Sequence, residues 1–335
     1  MTASPAVPHP PGITDIRRAA ERLNGLAVET PLIESAVLNE RFGARILFKP
    51  EVLQRTGSFK FRGAYNKISS LSPQERSRGV VAFSSGNHAQ GVAASAAMFG
   101  IKAVIVMPSD APAMKIGNVR AMGGEVVLYD RFGDDRAALV QPFIDKGMAM
   151  VPPYDDPAII AGQGTIGLEL VAQAAKLGVD LDAVFIPCGG GGLTSGISVA
   201  VKDGSPATTI WAAEPEYFDD TRRSLAAGTQ IANEPGHASI CDALLTPEPG
   251  VITFEINRKT LAGSIAVSQK AVAAAMRDAM AHLKLVVEPG GCVALAALSS
   301  GEIDIKGKSV AVVLSGGNVD YGLYADIIAA KPPYD

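Results

Sequence analysis

The residue with the clearest chemical potential is Lys60, which lies between two phenylalanines in Thr-Gly-Ser-Phe-Lys-Phe-Arg-Gly at residues 56–63. We expect the phenylalanines to desolvate the amine. Desolvation disfavours the charged form, lowers the pKa and frees the lone pair, which is the condition for forming a Schiff base with an aldehyde. The more ordinary alternative is a solvated lysine near a helix start. The chemical interpretation of Lys60 therefore depends on the other motifs of the chain.

A run of four glycines follows a predicted buried strand. It lies in Cys-Gly-Gly-Gly-Gly-Leu-Thr-Ser-Gly at residues 188–196, and a helix is predicted to begin within it. Because glycine has no side chain, successive N–H groups and the helix N-terminus can cradle a phosphate. The run matches neither a Walker loop nor a complete Gly-x-Gly-x-x-Gly fingerprint. It therefore favours a phosphate-bearing ligand that is not a nucleotide. The alternative is that the glycines form only a tight strand-to-helix turn without a ligand.

Two further loops follow predicted strands. The first consists of Ser84, Ser85, Gly86, Asn87 and His88. Its amides and hydroxyls suit a substrate anion such as a carboxylate. The alternative for this loop is an ordinary helix cap. The second is Leu-Ser-Gly-Gly-Asn at residues 314–318. In open α/β sheets, ligands bind at loops that follow the carboxyl ends of strands. The alternative for this second loop is an ordinary turn.

The elements that must position these loops alternate between short β-branched runs and longer alanine-rich segments, as in parallel α/β units. The pattern predicts strands at residues 80–83, 103–107, 125–129, 183–187, 209–213 and 309–314. It predicts helices at residues 87–99, 113–122, 137–145, 165–176, from 193, 269–282 and 292–298. We predict a smaller domain at residues 71–153, inserted in a larger domain built from residues 1–70 and 154–335.

The composition excludes several classes of protein. With 335 residues, 47% of them hydrophobic and 19% charged, the chain is typical of globular proteins. A net charge of -4 and scattered basic residues argue against nucleic acid and membrane partners. The three cysteines are far apart, which favours reduced thiols and a cytoplasmic protein. No signal peptide is recognisable, and no apolar stretch is expected to approach the roughly 20 residues that span a bilayer.

Taken together, these motifs resemble the fold type II pyridoxal-phosphate enzymes, and within them the threonine/serine dehydratase and serine racemase branch. The resemblance rests on Ser-Phe-Lys followed by Arg-Gly, on Ser-Gly-Asn-His-Ala-Gln-Gly at residues 85–91, on the tetraglycine loop and on the closing Ser-Gly-Gly-Asn. It extends over residues 30–318. It implies an α/β fold like that of the tryptophan synthase β chain, with two open, mostly parallel sheets and helices on both faces.

The resemblance also implies a role for each motif. Lys60 would be the Schiff-base lysine, Phe59 would lie against the cofactor ring and Asn87 would bind the ring hydroxyl. Glu288 would lie near the ring, and Ser315 would face the pyridine nitrogen. The phosphate would be held by Gly189, Gly190, Gly191, Gly192 and Leu193.

The hydroxyl of Ser315 at the pyridine nitrogen would influence which reaction the cofactor supports. A hydroxyl cannot keep the pyridine nitrogen protonated as an aspartate would, so the ring is a weaker electron sink and loss of a β-substituent competes well. Lys60, once released from the cofactor, would take the α-proton as general base. Loss of the β-hydroxyl would then lead to a 2-oxo acid and ammonia.

Two residues bear on the choice of reaction and substrate. Racemases of this branch have a serine at the position of Ser85, where it is the acid/base on the opposite face; the alternative is a capping residue that binds carboxylate. Arg136 matches an arginine of racemase relatives that can face the active-site opening. There it would bind a side-chain carboxylate and favour 3-hydroxyaspartate. The alternative is a solvated arginine paired with the preceding aspartates.

A cluster of acidic residues, Glu-Pro-Glu-Tyr-Phe-Asp-Asp at residues 214–220, follows another predicted strand. Hard oxygen ligands of this kind suit Mg²⁺, Ca²⁺ or Mn²⁺. By the resemblance, Glu214 and Asp220 would be side-chain ligands and Phe218 a backbone carbonyl ligand. The alternative is an acidic surface loop without a metal.

The sequence thus predicts a pyridoxal-phosphate lyase that converts L-threonine or L-serine to a 2-oxo acid and ammonia. The alternatives on the same cofactor are an amino-acid racemase and a threo-3-hydroxyaspartate dehydratase. A non-catalytic nucleotide-binding module is the alternative from another class, and it leaves Lys60 without a role. The resemblance further implies a homodimer.

Overall fold

Two parallel sheets form the framework of the protein. The computed structural model describes residues 9–84, 86–111, 113–130 and 133–334, except for the side chains of residues 136 and 137. Within these residues the larger sheet has five strands in the order β1-β9-β6-β7-β8, and the smaller has four in the order β4-β3-β2-β5. All neighbouring strands are parallel. The strands are β1 Arg45–Pro50, β2 Val80–Phe83, β3 Ala103–Pro108, β4 Glu125–Tyr129, β5 Ala149–Met150, β6 Ala183–Pro187, β7 Thr209–Pro215, β8 Gly263–Val267 and β9 Ser309–Leu314.

Helices connect the strands and cover both sheets. In chain order they are α1 Ile13–Leu23, α2 Ala36–Phe42, α3 Lys60–Ser70, α4 Pro73–Ser77, α5 Asn87–Met98, α6 Ala113–Ala121, α7 Arg136–Asp145, α8 Pro157–Lys176, α9 Gly192–Gly204, α10 Asp220–Ala227, α11 Val251–Thr260, α12 Gln269–Asp278, α13 Pro289–Ser299 and α14 Tyr321–Ile328. A π-helical turn, Ala279–Leu283, continues α12. Strand β9 is buried along all but its first residue, which is expected of a parallel strand covered on both faces.

The predicted α/β fold with two parallel sheets is confirmed. The smaller sheet takes all its strands from residues 80–150, whereas the larger sheet takes β1 from before this segment and its other strands from after it. The domain boundaries at residues 71 and 153 remain a prediction.

Several elements were not predicted from the sequence. Strand β1 was missed because Arg45 and Lys49 interrupt its apolar pattern, yet Lys49 is buried and its ammonium donates to Glu169 at 2.7 Å. Strand β8 and helix α11 lie in a stretch that the sequence analysis left without regular structure. Helix α8 begins eight residues earlier than predicted, because Pro157 occupies its first turn and Asp156 caps it, accepting from the amide of Ala158 at 2.8 Å.

Helix α8 is also long and apolar enough to cross a membrane by length and composition, so the expectation that no apolar stretch approaches this length was wrong. Of its most apolar window, 61% is buried inside the protein. It packs against α3 and α9, and its Glu169 accepts from Lys49 and Arg62. These contacts are those of a core helix.

A buried ionic cluster fixes the start of α3. The guanidinium of Arg62, 1% exposed, donates to Glu51 at 2.8 Å and also reaches Glu169 on α8. Charges are buried at low cost only when they are paired and hydrogen-bonded, as these are. The cluster holds α3 against α8 and the end of β1, two residues from Lys60.

Candidate active site

A cavity of about 720 Å³ opens at the carboxyl ends of strands from both sheets. The loops that follow β2, β6 and β9 line it, and the first residue of α3 projects into it. It brings together every cofactor and substrate residue predicted from the sequence whose side chain the structure describes: Phe59, Lys60, Ser84, Gly86, Asn87, His88, Gly189, Gly190, Gly191, Gly192, Leu193, Glu288 and Ser315.

Lys60 is half-buried and faces this cavity. Its amine donates to the backbone carbonyl of Pro153 at 2.7 Å and lies 5.2 Å from the ring centroid of Phe59. Burial lowers the pKa of Lys60 to about 8, although the nearby carboxylate of Glu288 acts in the opposite direction. The neutral amine is therefore far more accessible near neutral pH than for a solvated lysine.

Only one of the two flanking phenylalanines contributes to this desolvation. Phe61 packs with Leu23 and with Tyr65, whose ring centroid lies 5.7 Å from its own. The expectation that both phenylalanines enclose Lys60 was wrong, since successive side chains of a helix point in different directions. The cavity wall supplies the remaining burial.

The tetraglycine run forms a tight cradle at the N-terminus of α9. Gly191 has φ +90°, a left-handed conformation that favours glycine. A Cβ on Gly190 would lie 2.4 Å from the Tyr154 ring, and one on Gly192 would lie 3.1 Å from the Tyr154 backbone. Among the described residues no side chain caps α9, so its first amides remain directed at the cavity.

Polar side chains from α11 brace this loop. The hydroxyl of Thr253 donates to the carbonyl of Gly190 at 2.7 Å, and the Asn257 amide donates to Thr194 at 3.2 Å. Ser195 in turn donates to the Asn257 carbonyl oxygen at 3.0 Å. The sequence analysis missed Thr253 and Asn257. The sequence feature that could have indicated them is their spacing, since two polar residues four apart lie on one face of a helix.

The loop after β2 presents polar groups beside Lys60. The amide of Gly86 donates to the Ser84 hydroxyl at 3.2 Å. The imidazole Nε2 of His88 lies 2.8 Å from the carbonyl of Val151, and burial, followed by the charge of Lys60, lowers the pKa of His88 to about 3. His88 is therefore neutral, and its N–H donates to that carbonyl.

Asn87 is held by a residue on each side. Its amide nitrogen donates to Glu288 at 2.5 Å, and its carbonyl oxygen accepts from Asn318 at 2.8 Å. Burial, followed by the charge of Asp242, raises the pKa of Glu288 to about 7. The side-chain amide of Asn87 is thus fixed in orientation, and Asn318 has a positioning role that the sequence did not reveal.

Comparison with known proteins places this geometry in a family. Residues 23–316 match the model described as "Pyridoxal-phosphate dependent enzyme". The chain belongs to this family.

Its relatives within the pyridoxal-phosphate dependent family are ammonia-lyases and racemases. An L-threo-3-hydroxyaspartate ammonia-lyase of Saccharomyces cerevisiae is 41% identical over 96% of this chain and 97% of its own. An L-threonine ammonia-lyase of Thermotoga maritima is 42% identical over 94% of this chain and 78% of its own. The maize serine racemase structure superposes with a TM-score of 0.90 at 35% identity, covering 96% of this chain and 98% of that one.

The residues of the cavity fit pyridoxal phosphate, on which this family depends. An amine with a lowered pKa lines the same cavity as a glycine run at which an added Cβ would clash with Tyr154 or Thr253. Two buried polar atoms close to these groups, the hydroxyl of Ser58 and Oε2 of Glu288, have no hydrogen-bond partner in the described part of the chain. Such atoms favour a polar ligand.

The acidic segment at residues 214–220 begins inside β7, not after it as predicted, and is only partly assembled as a metal site. The Glu214 carboxylate accepts from the amides of Thr221 and Arg222, both at 2.9 Å, and from Ser264 at 2.6 Å. Asp220 accepts from Asn233 at 2.7 Å, and its Oδ2 has no partner among the described residues. Burial raises the pKa of Glu214 to about 8 and that of Asp220 to about 6.

The other two acids of this segment point elsewhere, since Glu216 is exposed and Asp219 pairs with Arg223 at 3.0 Å. Phe218 is half-buried. Across the described residues no group of three or more histidine, cysteine or acidic side chains is placed to hold a metal ion.

Two predicted residues lie outside this description. Ser85 is outside the described residues, and Arg136 is described only as the first residue of α7, without its side chain. Their proposed roles stay predictions.

Proposed function

We propose that this protein is a pyridoxal-phosphate-dependent ammonia-lyase that deaminates small L-hydroxyamino acids to 2-oxo acids. The observation that carries the proposal is the Lys60 amine, with its lowered pKa, in a cavity that the tetraglycine cradle and Ser84, Gly86, Asn87 and His88 also line. The names of the ammonia-lyase relatives support it.

The chain's residues suggest how the cofactor is held. Lys60 would bind its aldehyde, the amides of Gly189 to Leu193 its phosphate, and Asn87 its ring hydroxyl. Ser315 would face the pyridine nitrogen, and Phe59 and Glu288 would border the ring. When bound, pyridoxal phosphate withdraws electrons from the carbon that bears the substrate's amino group.

The same residues can move a proton at that carbon. Once its amine is free, Lys60 has a pKa near 8, so it can accept the α-proton near neutral pH. The Pro153 carbonyl, 2.7 Å from the amine, keeps it at the cavity wall. Amides of the loop at residues 84–88 would bind the α-carboxylate and orient the α-carbon toward Lys60.

The test is ammonia and 2-oxo-acid release by cofactor-loaded protein from L-threonine, L-serine and L-threo-3-hydroxyaspartate. We expect turnover of at least one of them, and loss of turnover together with the cofactor's visible absorbance in Lys60→Ala. Lys67→Ala is the control, because Lys67 lies on the same helix but pairs with Asp156 outside the cavity. Absence of cofactor absorbance in the unaltered protein would contradict the proposal.

A second activity, racemisation, has support from Ser85 in the sequence and from the likeness to maize serine racemase. Chiral analysis of L-serine incubations separates the two reactions. A racemase leaves D-serine, whereas a pure lyase leaves only the oxo acid and ammonia.

We also propose a divalent-cation site at Glu214 and Asp220, with the Phe218 carbonyl as a further ligand and Mg²⁺, Ca²⁺ or Mn²⁺ as the ion. The buried Oδ2 of Asp220, which has no hydrogen-bond partner among the described residues, supports it, because hard oxygen donors suit these ions. Mg²⁺ should raise the melting temperature of the protein, since a ligand that binds only the folded state stabilises it. Asp220→Asn should abolish this rise, and the exposed control Glu216→Gln should retain it.

A further inference from the structure

Lys115 is a second amine in the wall of the active-site cavity, and the reaction proposed above does not use it. It lies on α6, and only 6% of its side chain is exposed. Its Nζ would lie 3.7 Å from a Cβ on Gly86, within the loop proposed to bind the α-carboxylate. Lys115 is therefore close to one substrate anion site without being part of it.

The counter-ion of Lys115 comes from the opposite wall. Asp242, in the short 3-10 turn Asp242–Leu244 that precedes α11, forms an ion pair with it. The Asp242 side chain is 48% exposed. A buried ammonium such as that of Lys115 needs a counter-charge. The Asp242 carboxylate can nevertheless return to water at little cost when another anion replaces it, because it is already half hydrated.

The described side chains that line the cavity leave one cation available for substrate. Lys60 is assigned to the cofactor, and His88 is neutral because burial lowers its pKa to about 3. Asp155 is occupied by the start of α11, where it accepts from the amides of Val251 and Ile252 at 2.9 Å. Among the described side chains that line the cavity, Lys115 remains to receive a second negative charge.

Substrate size sets where such a charge must bind. In a four-carbon hydroxyamino diacid the two carboxylates are separated by only two carbons, so the second anion site must adjoin the first. The proximity of Lys115 to Gly86 meets this requirement.

We propose that Lys115 binds the side-chain carboxylate of a dicarboxylic hydroxyamino acid of the 3-hydroxyaspartate class, which displaces Asp242 from the ion pair. The inference rests on the proposed ammonia-lyase function, whose substrate class it narrows. The role of Arg136 in binding such a carboxylate stays a prediction, because its side chain is outside the described part of the chain. One relative is named for L-threo-3-hydroxyaspartate, in agreement with this substrate class.

The test compares the unaltered holoenzyme with Lys115→Met, a neutral side chain of similar length, and Lys115→Arg, which restores the charge. We expect Lys115→Met to lower kcat/KM for L-threo-3-hydroxyaspartate by about 10- to 100-fold, the effect of losing one charged hydrogen bond. For L-threonine, kcat/KM should change less than about 3-fold. Lys115→Arg should recover at least part of the loss.

A binding measurement separates this inference from the proposed reaction. L-Aspartate and L-alanine lack a β-leaving group, so their binding can be followed by the change in cofactor absorbance without elimination. Lys115→Met should weaken L-aspartate binding and leave L-alanine binding unchanged. If no substrate is turned over but this difference persists, the lyase function fails and the subsite stands.

Two results would overturn the subsite. One is an equal loss for L-threonine and hydroxyaspartate in a Lys115→Met protein with unchanged cofactor absorbance and melting temperature, which would assign Lys115 to the α-carboxylate. The other is unchanged kinetics and L-aspartate affinity in Lys115→Met.

Discussion

Two lysines share one cavity wall, and their surroundings give them different chemistry. Lys60 has a neutral carbonyl as its hydrogen-bond partner, and burial lowers its pKa to about 8. Lys115 instead forms an ion pair with the carboxylate of Asp242. A neutral acceptor leaves the amine free to react, whereas an anionic one keeps the charge that an incoming carboxylate can bind.

The lowered pKa of Lys60 predicts how cofactor loading depends on pH. The neutral amine attacks the aldehyde, and with a pKa near 8 its fraction rises as the pH rises through 8 and then levels off. Incorporation of pyridoxal phosphate into apoprotein, followed by absorbance, should therefore accelerate about 10-fold from pH 6 to 7 and little above pH 9. A rate that keeps rising to pH 10.5 would indicate an unperturbed lysine.

At the scale of single residues, the sequence predicted site residues where a residue type is unusual in its local sequence. A lysine in a Ser-Phe-Lys motif and four consecutive glycines are rare enough to predict a site. The braces were not predictable, because Thr253, Asn257 and Asn318 are common polar residues that reach the site only through tertiary contacts between distant segments.

Among the elements, the crossing of α3 and α8 decides where Lys60 lies. A Cβ on Gly162 of α8 would lie 2.6 Å from the Cα of Gly63 and 2.7 Å from the carbonyl oxygen of Arg62. Both contacts are with backbone, which cannot rotate away. The two helices approach this closely only because both residues are glycine.

We therefore expect Gly162→Ala to push α3 away from α8. The variant should lose about 1–3 kcal/mol in the free energy of unfolding, as overpacked cores do, and should bind pyridoxal phosphate more weakly because Lys60 moves with α3. Urea denaturation and cofactor titration measure the two effects.

Gly117→Ala is the matched control, since Gly117 lies inside α6 and an added Cβ would meet no atom within 4 Å. It should stabilise the protein by up to about 1 kcal/mol through helix propensity alone. Equal stability of the two variants would show that the helix crossing tolerates a methyl group.

Element prediction from the sequence worked for apolar, β-branched strands such as β2, β4 and β9, which were found at the residues predicted. It failed where burial of charge hides the pattern, as at Lys49 in β1. It also failed at the start of α8, where Pro157 reads as a break although it occupies a position that favours proline.

On the scale of the whole molecule, both sheets contribute to the cavity, and neither forms it alone. Residues after β2 carry the proposed carboxylate loop, whereas those after β6 and β9 carry the glycine cradle and Ser315. The family resemblance predicted this arrangement, while the pattern of elements predicted only that parallel sheets exist, because it does not determine how two sheets face each other.

We expect a homodimer in solution. The exposed apolar side chains include Leu53, Val286 and Tyr321. They belong to neighbouring segments, since a Cβ on Gly317 would lie 2.6 Å from the Val286 carbonyl and 3.3 Å from Val52. Exposed apolar patches of this kind mark interfaces.

Sedimentation velocity at micromolar concentration should show a dimer. The double variant Leu53→Glu with Val286→Glu should shift it toward monomer, whereas the same change at Leu177, which is exposed at the end of α8, should not. A monomer for the unaltered protein would contradict the expectation.

The strand order of the larger sheet has a consequence for biosynthesis. Strand β1 pairs with β9, and β9 also joins β6, so β1 is connected to the rest of this sheet through a strand that is translated after all the others of the sheet. Lys60 is translated early, but the strand end that carries Ser315 appears some 250 residues later. During synthesis the smaller sheet can pair completely from residues 80–150, while β1 waits without a partner. A nascent chain stalled before residue 309 would therefore expose the lysine without its pocket, and capture of the cofactor should be confined to chains that have been translated beyond residue 315.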